Sequence, residues 1–163
     1  MKLHILSREQ LLGTDIDTAW DFFSSPINLK KITPAYLGFE ITSELSTQSM
    51  YEGQIISYKV SPLAGIKMTW VTEITHVEDR KYFVDEQRFG PYSMWHHEHW
   101  FYETREGVLM KDKVTYALPW YGMGRLGHRL IVQPKLEEIF NYRAQLADNI
   151  FPTNLDTVAT RSE

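Results

Sequence analysis

Hydrophobic and polar residues alternate along much of the chain with a period of two, a pattern typical of half-buried β-strands. The alternation begins at Leu3 and Ile5 and returns after Gly38 in six further segments. These segments are Phe39–Leu45, Gln54–Ser61, Ile66–Val77, Tyr82–Phe89, Met94–Thr104 and Val108–Leu118. Only short turn sequences separate them, whereas parallel strands need crossovers of about a dozen residues or more. The pattern therefore predicts an antiparallel sheet of about seven strands.

Two short helices are predicted between the first strand and the rest of the sheet. Asp15 or Asp17 is a suitable N-cap for a helix over Thr18–Phe23, because an aspartate side chain accepts hydrogen bonds from the free amides of a first turn. A second short helix fits Ile27–Ile32, just ahead of Pro34.

Apolar residues with helical spacing predict one long helix near the C-terminus, from about Gly122 to Ile150. Pro134 is expected to kink or interrupt the front half of this helix. A sheet with one hydrophobic face must be covered, and only this helix is long enough to cover it. We therefore expect an α+β fold in which a curved antiparallel sheet wraps around the C-terminal helix. Residues 1–151 form the single predicted domain, and residues 152–163 are expected to be a flexible tail.

Composition excludes several classes of protein. The chain has 163 residues, no cysteine and a net charge of −4, so neither a disulfide framework nor a basic nucleic-acid-binding surface is expected. No uncharged apolar run approaches the ~20 residues that span a bilayer. Arg8 and Glu9 lie where a signal peptide would be apolar, and we therefore expect a cytoplasmic protein without a membrane span. Aromatic residues make up 13% of the chain, which suits a pocket as well as a core.

The strand predicted over Met94–Thr104 divides a run of aromatic and histidine residues between its two faces. The face with His97 and His99 is the more aromatic, and the neighbouring strands place acidic and aromatic side chains on the same face. Arg143 shares the apolar stripe of the C-terminal helix, and it either points toward a carboxylate of the sheet or extends outward at the helix edge. Aromatic side chains with a few convergent polar groups are typical of a ligand pocket. The predicted ligand-binding residues are Trp70, Asp85, Gln87, Trp95, His97, His99, Phe101, Asp112, Tyr116 and Arg143.

Two histidines separated by one residue, His97 and His99, are close enough along a strand to share a metal ion. Zinc needs three or four ligands, so Asp85 or Asp112 on a neighbouring strand would have to supply the third. The pair alone is weak support, and buried histidines hydrogen-bonded to carboxylates are the stronger interpretation. We therefore predict neither a metal nor a cofactor. The G-x-G-x-x-G sequence at Gly122–Gly127 does not change this prediction, since a dinucleotide site requires a βαβ unit.

Several runs of the sequence resemble the helix-grip fold of the START-like, or SRPBCC, ligand-binding superfamily, which includes the birch pollen allergen and polyketide cyclases. The resemblance covers about Leu3 to Ala147. The runs that carry it are Phe83–Tyr92, Trp95–His99, Met110–Asp112 and Ile139–Arg143. They are most similar to the small, single-domain bacterial members described as cyclase/dehydrase-like. The resemblance implies a helix-grip fold, whereas superfamily members bind lipids, sterols, polyketides or hormones, and some catalyse no reaction.

Three functions are compatible with these features. The first is binding of a small, mostly hydrophobic or amphipathic molecule with a polar end, in a cavity between the sheet and the C-terminal helix. The second is a cofactor-independent enzyme of cyclase, dehydratase or isomerase type, in which His97 or His99 acts as general acid or base. The third is a protein-interaction module without a ligand. Binding ranks above catalysis because the sequence contains no recognisable catalytic motif, and no residue is assigned a catalytic role.

Overall fold

A seven-stranded antiparallel sheet is the framework of the structure, a computed structural model that describes residues 2–45, 49–61, 65–119 and 131–153. The strands are β1 (His4–Leu12), β2 (Glu40–Ile41), β3 (Ile55–Val60), β4 (Met68–Glu78), β5 (Tyr82–Phe89), β6 (Met94–Thr104) and β7 (Gly107–Ala117). They lie in the order β1-β7-β6-β5-β4-β3-β2, and each neighbouring pair is antiparallel. The predicted antiparallel sheet is confirmed.

Strand β1 joins the meander by pairing with β7 rather than with β2. The pairing extends over the whole of β1, from His4 opposite Tyr116 to Leu12 opposite Val108. The β4–β5 pair, by contrast, shifts register between Val71 and Thr72 and again further along the strand. Such bulges bend a strand and increase its twist, which lets a sheet curve around a helix.

The strands β5 and β6 have the bounds that alternation predicts, whereas β2 is much shorter than the predicted Phe39–Leu45. The backbone amides of Thr42 and Ser43 both donate to the carbonyl of Ser57, at 2.8 and 3.2 Å. In a regular ladder, each backbone donor of one strand has its own acceptor on the neighbouring strand. Here two amides share one carbonyl, so the regular pairing ends at this point.

The first helix, α1, covers Ile16–Phe23, and Asp15 is its N-cap. The Asp15 carboxylate accepts hydrogen bonds from the backbone N–H of Thr18 at 2.8 Å and from the Thr18 hydroxyl at 2.9 Å. These bonds satisfy donors that a first helical turn leaves without helical partners.

The second helix, α2, covers only Pro26–Leu29, so it is shorter than the predicted Ile27–Ile32. The carbonyl of Leu29 accepts the hydroxyl of Thr33 at 2.6 Å, and this side-chain contact competes with helical backbone bonding. The chain then continues through turns into a short 3-10 helix at Ala35–Leu37.

The last helix, α3, covers Gln133–Ile150, and the predicted start near Gly122 lies outside the described residues. Pro134 falls in the first turn of α3, where the missing proline N–H has no helical partner to lose. The described α-helix begins next to Pro134, and most of the front half that Pro134 is predicted to interrupt lies outside the described residues, so the interruption stays a prediction. Most of the predicted tail, residues 154–163, is also outside the described part of the chain.

Two clusters of buried side chains lie behind the sheet. The first packs α1 against the sheet through Trp20, Phe23, Phe83 and Phe101. The second packs α3 against the sheet, and its members include Trp70, Trp95, Leu136 and Phe140. The predicted α+β architecture, with short helices after β1 and a long helix across the sheet, is confirmed. Among the described helices, none has the length and apolar character needed to cross a membrane.

The end of β1 lies directly against the end of α3. The backbone N–H of Gly13 donates to the carbonyl of Phe151 at 3.0 Å. A Cβ atom at Gly13 would lie 2.0 Å from the carbonyl oxygen of Pro152, which is too close for any rotamer to relieve. Glycine at this position therefore allows the two chain segments to approach.

We expect Gly13→Ala to lower the free energy of unfolding by about 1–3 kcal/mol, because backbone atoms must separate to admit the methyl group. Gly90→Ala is the comparison variant, because its Cβ would lie 2.4 Å from the side chain of Gln87, which can turn away by giving up its hydrogen bonds to Tyr92, whereas backbone cannot. Urea denaturation should show a smaller loss for Gly90→Ala. Equal midpoints for Gly13→Ala and the wild type would contradict the close approach.

Candidate functional site

A pocket of about 160 Å³ lies between the sheet and α3. Most of its wall is apolar, with contributions from Ile56 on β3, Ile74 on β4, Phe83 on β5 and Phe140 on α3. One part of the wall is different, because the charged or polar side chains of Asp85, His97, His99 and Arg143 line it. The pocket therefore combines a hydrophobic interior with one polar region.

The polar region is part of a compact cluster of two histidines and two aspartates. His97 Nδ1 lies 3.3 Å from Asp85 Oδ2, and His97 Nε2 lies 3.1 Å from Asp112 Oδ1. His99 Nε2 lies 2.9 Å from Asp85 Oδ2, and His99 Nδ1 lies 2.9 Å from Asp112 Oδ1. Asp85 Oδ2 thus faces one nitrogen of each histidine, and so does Asp112 Oδ1. We call these four residues the His-Asp cluster.

Strand register explains how the His-Asp cluster forms. Asp85 on β5 is directly opposite His97 on β6, and His99 on β6 is directly opposite Asp112 on β7. Residues i and i+2 of a strand share one face, and cross-strand neighbours on a face are close enough for side-chain contact. Each histidine therefore meets one aspartate across the ladder and the other on the diagonal.

Aromatic packing seals the histidines from water. His97 is 3% exposed and His99 is 4% exposed. The ring of Phe83 stacks on His99 with the ring centroids 4.1 Å apart, and Phe140 of α3 meets His97 edge-on at 5.6 Å. The two imidazoles themselves lie 3.7 Å apart, centroid to centroid. The cluster is consequently placed where charges are poorly screened.

The charges of the cluster stabilise one another. Burial alone would raise the pKa of Asp85, but His97 and His99 outweigh it and hold that pKa well below its usual range. The pKa of Asp112 is also raised by burial, and the hydrogen bond with His97, the nearby His99 and the charge of Arg143 together bring it well below its usual range. Burial lowers the pKa of His97, yet the two carboxylates produce a net rise. The cluster thus favours ionised aspartates beside a charged His97.

Hydrogen-bond directions leave His99 incompletely satisfied. His99 Nε2 is hydrogen-bonded to Asp85 Oδ2, but His99 Nδ1 makes no hydrogen bond with any residue that the structure describes. Its 2.9 Å distance to Asp112 Oδ1 is short enough for one, so the approach is outside the angles that a hydrogen bond requires. A buried nitrogen therefore lies beside a carboxylate without a bond between them.

Among the described residues, the indole N–H of Trp70 is a second buried group that has no hydrogen-bond partner. Trp70 lines the pocket, is 8% exposed, and packs between Tyr58 and Trp95. Tyr58 itself is satisfied, because its hydroxyl lies 3.1 Å from the Thr72 hydroxyl. An unpaired buried donor costs about 1–3 kcal/mol, so a hydrogen-bond acceptor at Trp70 would be favoured there.

Arg143 lies on the wall of the pocket and also on the wall of a smaller groove that contains Asp112. Its guanidinium is positioned over the ring of Phe140, 5.4 Å from the ring centroid. The charge of Arg143 lowers the pKa of Asp112, but among the described residues its guanidinium forms no ion pair with a carboxylate, so neither of the two alternatives left open by the sequence is fully realised.

Of the ten predicted ligand-binding residues, six line the pocket. The other four are not part of the pocket wall that the described residues form. Those on the wall are Trp70, Asp85, Trp95, His97, His99 and Arg143. Asp112 lies behind the histidines and reaches the smaller groove instead. Phe101 packs against Trp20 and Phe23, because β6 passes α1 at that point.

Gln87 and Tyr116 also lie off the pocket wall. The Gln87 amide donates to the carbonyl of Tyr92 at 2.7 Å and accepts the Tyr92 N–H at 3.2 Å, so it fastens the turn between β5 and β6. Tyr116 stacks with His4 on the neighbouring strand β1 and meets Tyr92 edge-on. Their expected placement on the pocket wall is wrong, and hairpin and neighbouring-strand contacts are the reason.

Several residues of the pocket wall are not among those predicted from the sequence. Tyr58 belongs to the alternation of β3, where Ile56, Tyr58 and Val60 share the inner face, so the same pattern could have identified it. Tyr92 lies in a turn after Gly90, and no periodicity marks turn residues as parts of a wall. Phe140 was recognised only as part of an apolar helical stripe.

Solved structures with similar folds are found at low sequence identity. Ginseng major latex-like protein 151 from Panax ginseng is 13% identical, with a TM-score of 0.65 over 92% of this chain and 99% of that one. TTHA0849 from Thermus thermophilus is 18% identical, with a TM-score of 0.64 over 98% and 100% of the two chains. The di-domain ARO/CYC StfQ from the steffimycin biosynthetic pathway is 13% identical, with a TM-score of 0.67 over 89% of this chain and 49% of that one. Neither a protein-family model nor a curated protein matches the chain.

These likenesses concern the fold. The similar structures, the seven-stranded antiparallel sheet and the long C-terminal helix together show that the chain has the helix-grip fold implied by the sequence resemblance.

The opposite pKa shifts of the His-Asp cluster predict a maximum of stability at mildly acidic pH. Asp85 and Asp112 have lowered pKa values, so their contribution is present above the unfolded value of about 3.9 and is lost as the pH falls. His97 has a raised pKa, so its contribution is complete below the unfolded value of about 6.5 and is lost as the pH rises through the folded value. The free energy of unfolding in EDTA-containing buffer should therefore be highest between about pH 4 and 6.5.

A matched pair of variants attributes the alkaline decline to one group. His97→Gln should flatten it, whereas His96→Gln should keep it, because His96 is on the opposite face of β6 and pairs with Glu86. A wild-type stability that increases steadily from about pH 6.5 to 8 would show that His97 is not stabilised as a cation.

Proposed function

We propose that the chain binds a small, mostly apolar molecule with one polar end in the pocket between the sheet and α3. The observation that carries the proposal is an apolar wall interrupted in one region by buried polar groups with unused hydrogen-bonding capacity. Ligand pockets commonly have this composition, with few polar groups that fix orientation. A chain that needed only stability would be expected to fill the same volume with aliphatic side chains.

Volume limits the size of the molecule. The pocket holds about 160 Å³, close to the ~150 Å³ of an engineered apolar cavity that binds benzene. We therefore infer a ligand built on one six-membered ring, or an aliphatic group of similar size, when the chain has the described conformation. A long acyl chain or a fused ring system would require α3 to move away from the sheet.

The hydrogen-bonding groups on the pocket wall indicate which chemical group forms the polar end of the ligand. The Trp70 N–H is a donor without an acceptor, and Arg143 carries further donors on the same wall. Asp85 can accept a hydrogen bond from the ligand in return. An oxygen that both donates and accepts, such as a hydroxyl, suits these groups best.

The fold adds general support to this proposal. The sequence resemblance is to a superfamily in which many members bind small hydrophobic molecules, although fold alone does not determine function. The cytoplasmic location, the absence of a nucleic-acid partner and the division of the chain at residue 151 stay predictions.

A pair of neighbouring residues on β3 allows a sharp test. Ile56 is 2% exposed and lines the pocket, whereas Ile55 is 51% exposed on the opposite face. We expect p-cresol to bind the wild-type protein with a dissociation constant of roughly 0.1–1 mM, as measured by ligand-observed NMR and calorimetry. Ile56→Trp should weaken this binding about tenfold or more by occupying the pocket, and Ile55→Trp should not change it.

Folding of both variants is checked by far-UV circular dichroism. A folded Ile56→Trp protein that binds p-cresol as well as the wild type would refute binding in this pocket. Native mass spectrometry and organic extraction of the freshly expressed protein would identify a natural ligand at the same time.

The polar end is tested through Trp70. Trp70→Phe keeps an aromatic ring and removes the indole N–H, so it should weaken p-cresol binding about 5–10-fold, as expected for one hydrogen bond. Toluene has the same shape without the hydroxyl, and the substitution should leave its binding unchanged or slightly improved. An equal loss for both ligands would contradict the assigned hydrogen bond.

A cyclase-type enzyme is the second candidate, and one observation favours it. His97 lies between two carboxylates that fix its ring and raise its pKa, an arrangement suited to a general acid or base. The similar fold of StfQ, named as an ARO/CYC, is compatible with this candidate. Prolonged incubation of an extracted ligand with the protein separates the two functions, since an enzyme would change its mass or chromatographic retention and a binding protein would return it unchanged.

A further inference from the structure

We propose that Asp85, His97 and His99 bind a divalent transition-metal ion on the pocket side of the His-Asp cluster. One ligand atom from each residue lies within 4.8 Å of the others. Imidazole nitrogen and carboxylate oxygen together suit Zn²⁺ and its first-row neighbours. The proposal goes beyond the binding of an apolar molecule, because the ion needs only these side chains. The spacing of the two histidines predicted no metal, and it is the position of Asp85 that changes this.

Distances within the group match a coordination site. Asp85 Oδ2 lies 3.3 Å from His97 Nδ1 and 2.9 Å from His99 Nε2. Zinc bonds to nitrogen and oxygen are about 2.0–2.2 Å long, so neighbouring ligands of a tetrahedral ion lie about 3.3–3.5 Å apart. The distance from Asp85 Oδ2 to each of these two nitrogens therefore needs to change by only a few tenths of an ångström to admit the ion, and one ligand atom of each residue lies within 4.8 Å of the others.

Counting protons gives an independent reason for a cation at this position. The four ring nitrogens of the two histidines face two carboxylate oxygens, but two neutral imidazoles carry only two N–H groups. Protonating both rings would place two positive charges on imidazoles 3.7 Å apart. With one ring charged, one of the four nitrogens has no proton to donate, and His99 Nδ1 is the nitrogen that makes no hydrogen bond to a described residue although Asp112 Oδ1 is 2.9 Å away.

A metal ion resolves this conflict with the groups already present. The two nitrogens that face Asp85 give their lone pairs to the ion, and the two that face Asp112 keep their protons. Asp112 Oδ1 then accepts from His97 Nε2 at 3.1 Å, and from His99 Nδ1, now 2.9 Å away, after a small rotation of that ring. Histidine ligands are commonly held by an outer carboxylate in this way, which assigns Asp112 a positioning role.

The charge of the His-Asp cluster and its position on the pocket wall are also suitable for a divalent cation. Two ionised aspartates balance the two positive charges of the ion, which makes the buried group neutral. All three proposed ligands line the pocket, and three protein ligands leave a zinc ion a further position for water or another small ligand. The open position would face the pocket.

The test uses untagged full-length protein treated with EDTA and dialysed, with no p-cresol present. Calorimetric titration with Zn²⁺ should give one site, and Co²⁺ should develop the visible absorption of a low-coordinate site with nitrogen and oxygen ligands. Asp85→Asn and His99→Gln should each weaken Zn²⁺ binding at least about 100-fold, and Asp112→Asn about 10–100-fold. The matched control is His96→Gln, because His96 is adjacent in sequence but lies on the opposite face with Glu86, and it should bind like the wild type.

Several results would overturn the proposal. These are no Zn²⁺ or Co²⁺ binding by the wild type, unchanged binding by folded Asp85→Asn and His99→Gln, or an equal loss in His96→Gln. If the ligand variants do not fold, histidine-ring nitrogen NMR of the wild type still decides, since Zn²⁺ must bind His97 Nδ1 and His99 Nε2. The p-cresol experiment is carried out with EDTA, so failure of metal binding and failure of the proposed apolar ligand are distinguishable.

Discussion

Two largely enclosed carboxylates constrain the centre of this sheet. The side chains of Asp85 and Asp112 are only 17% and 14% exposed. They can be enclosed because His97 and His99 lie between them, since removing one partner of a buried ion pair costs about 3–5 kcal/mol. A slip of one residue between β5, β6 and β7 would move the histidines to the outer face and leave both acids unpaired. An aliphatic face would tolerate such slips more readily. The polar contacts therefore specify strand register as well as chemistry.

The surroundings of the carboxylates follow from the same constraint. Phe83 and Phe140 pack on the two imidazoles and exclude water, which strengthens the attraction between the paired charges. Unused hydrogen-bonding capacity remains at Trp70 and His99, both buried and close to the space behind the sheet. Folding stability does not require these unpaired polar groups. Groups that lower the stability of the fold are typical of functional sites.

Sequence patterns were most informative where the structure is regular. Alternation located β5 and β6 and placed His97 on the inner face, because both strands are long and end in tight turns. Alternation placed Gln87 on the pocket wall, but the Gln87 side chain is hydrogen-bonded to the backbone of a turn, and alternation does not describe turns. It also overestimated β2, where two amides converge on Ser57. Side-chain directions along a strand are thus encoded locally, whereas contacts made at strand ends depend on how distant segments meet.

The pairing of β1 with β7 has a consequence for how the chain folds. β1 is synthesised well before its partner β7, so β1 presents free backbone donors and acceptors while the intervening residues are made. At about 5–20 residues per second, this interval lasts several seconds, long enough for the local hairpins of the meander to form. Closing so large a loop is entropically costly and makes folding slow relative to helical domains of the same size. We therefore expect the pairing of β1 with β7 to form last in the sheet, and β1 to be the strand most exposed to pairing with another chain.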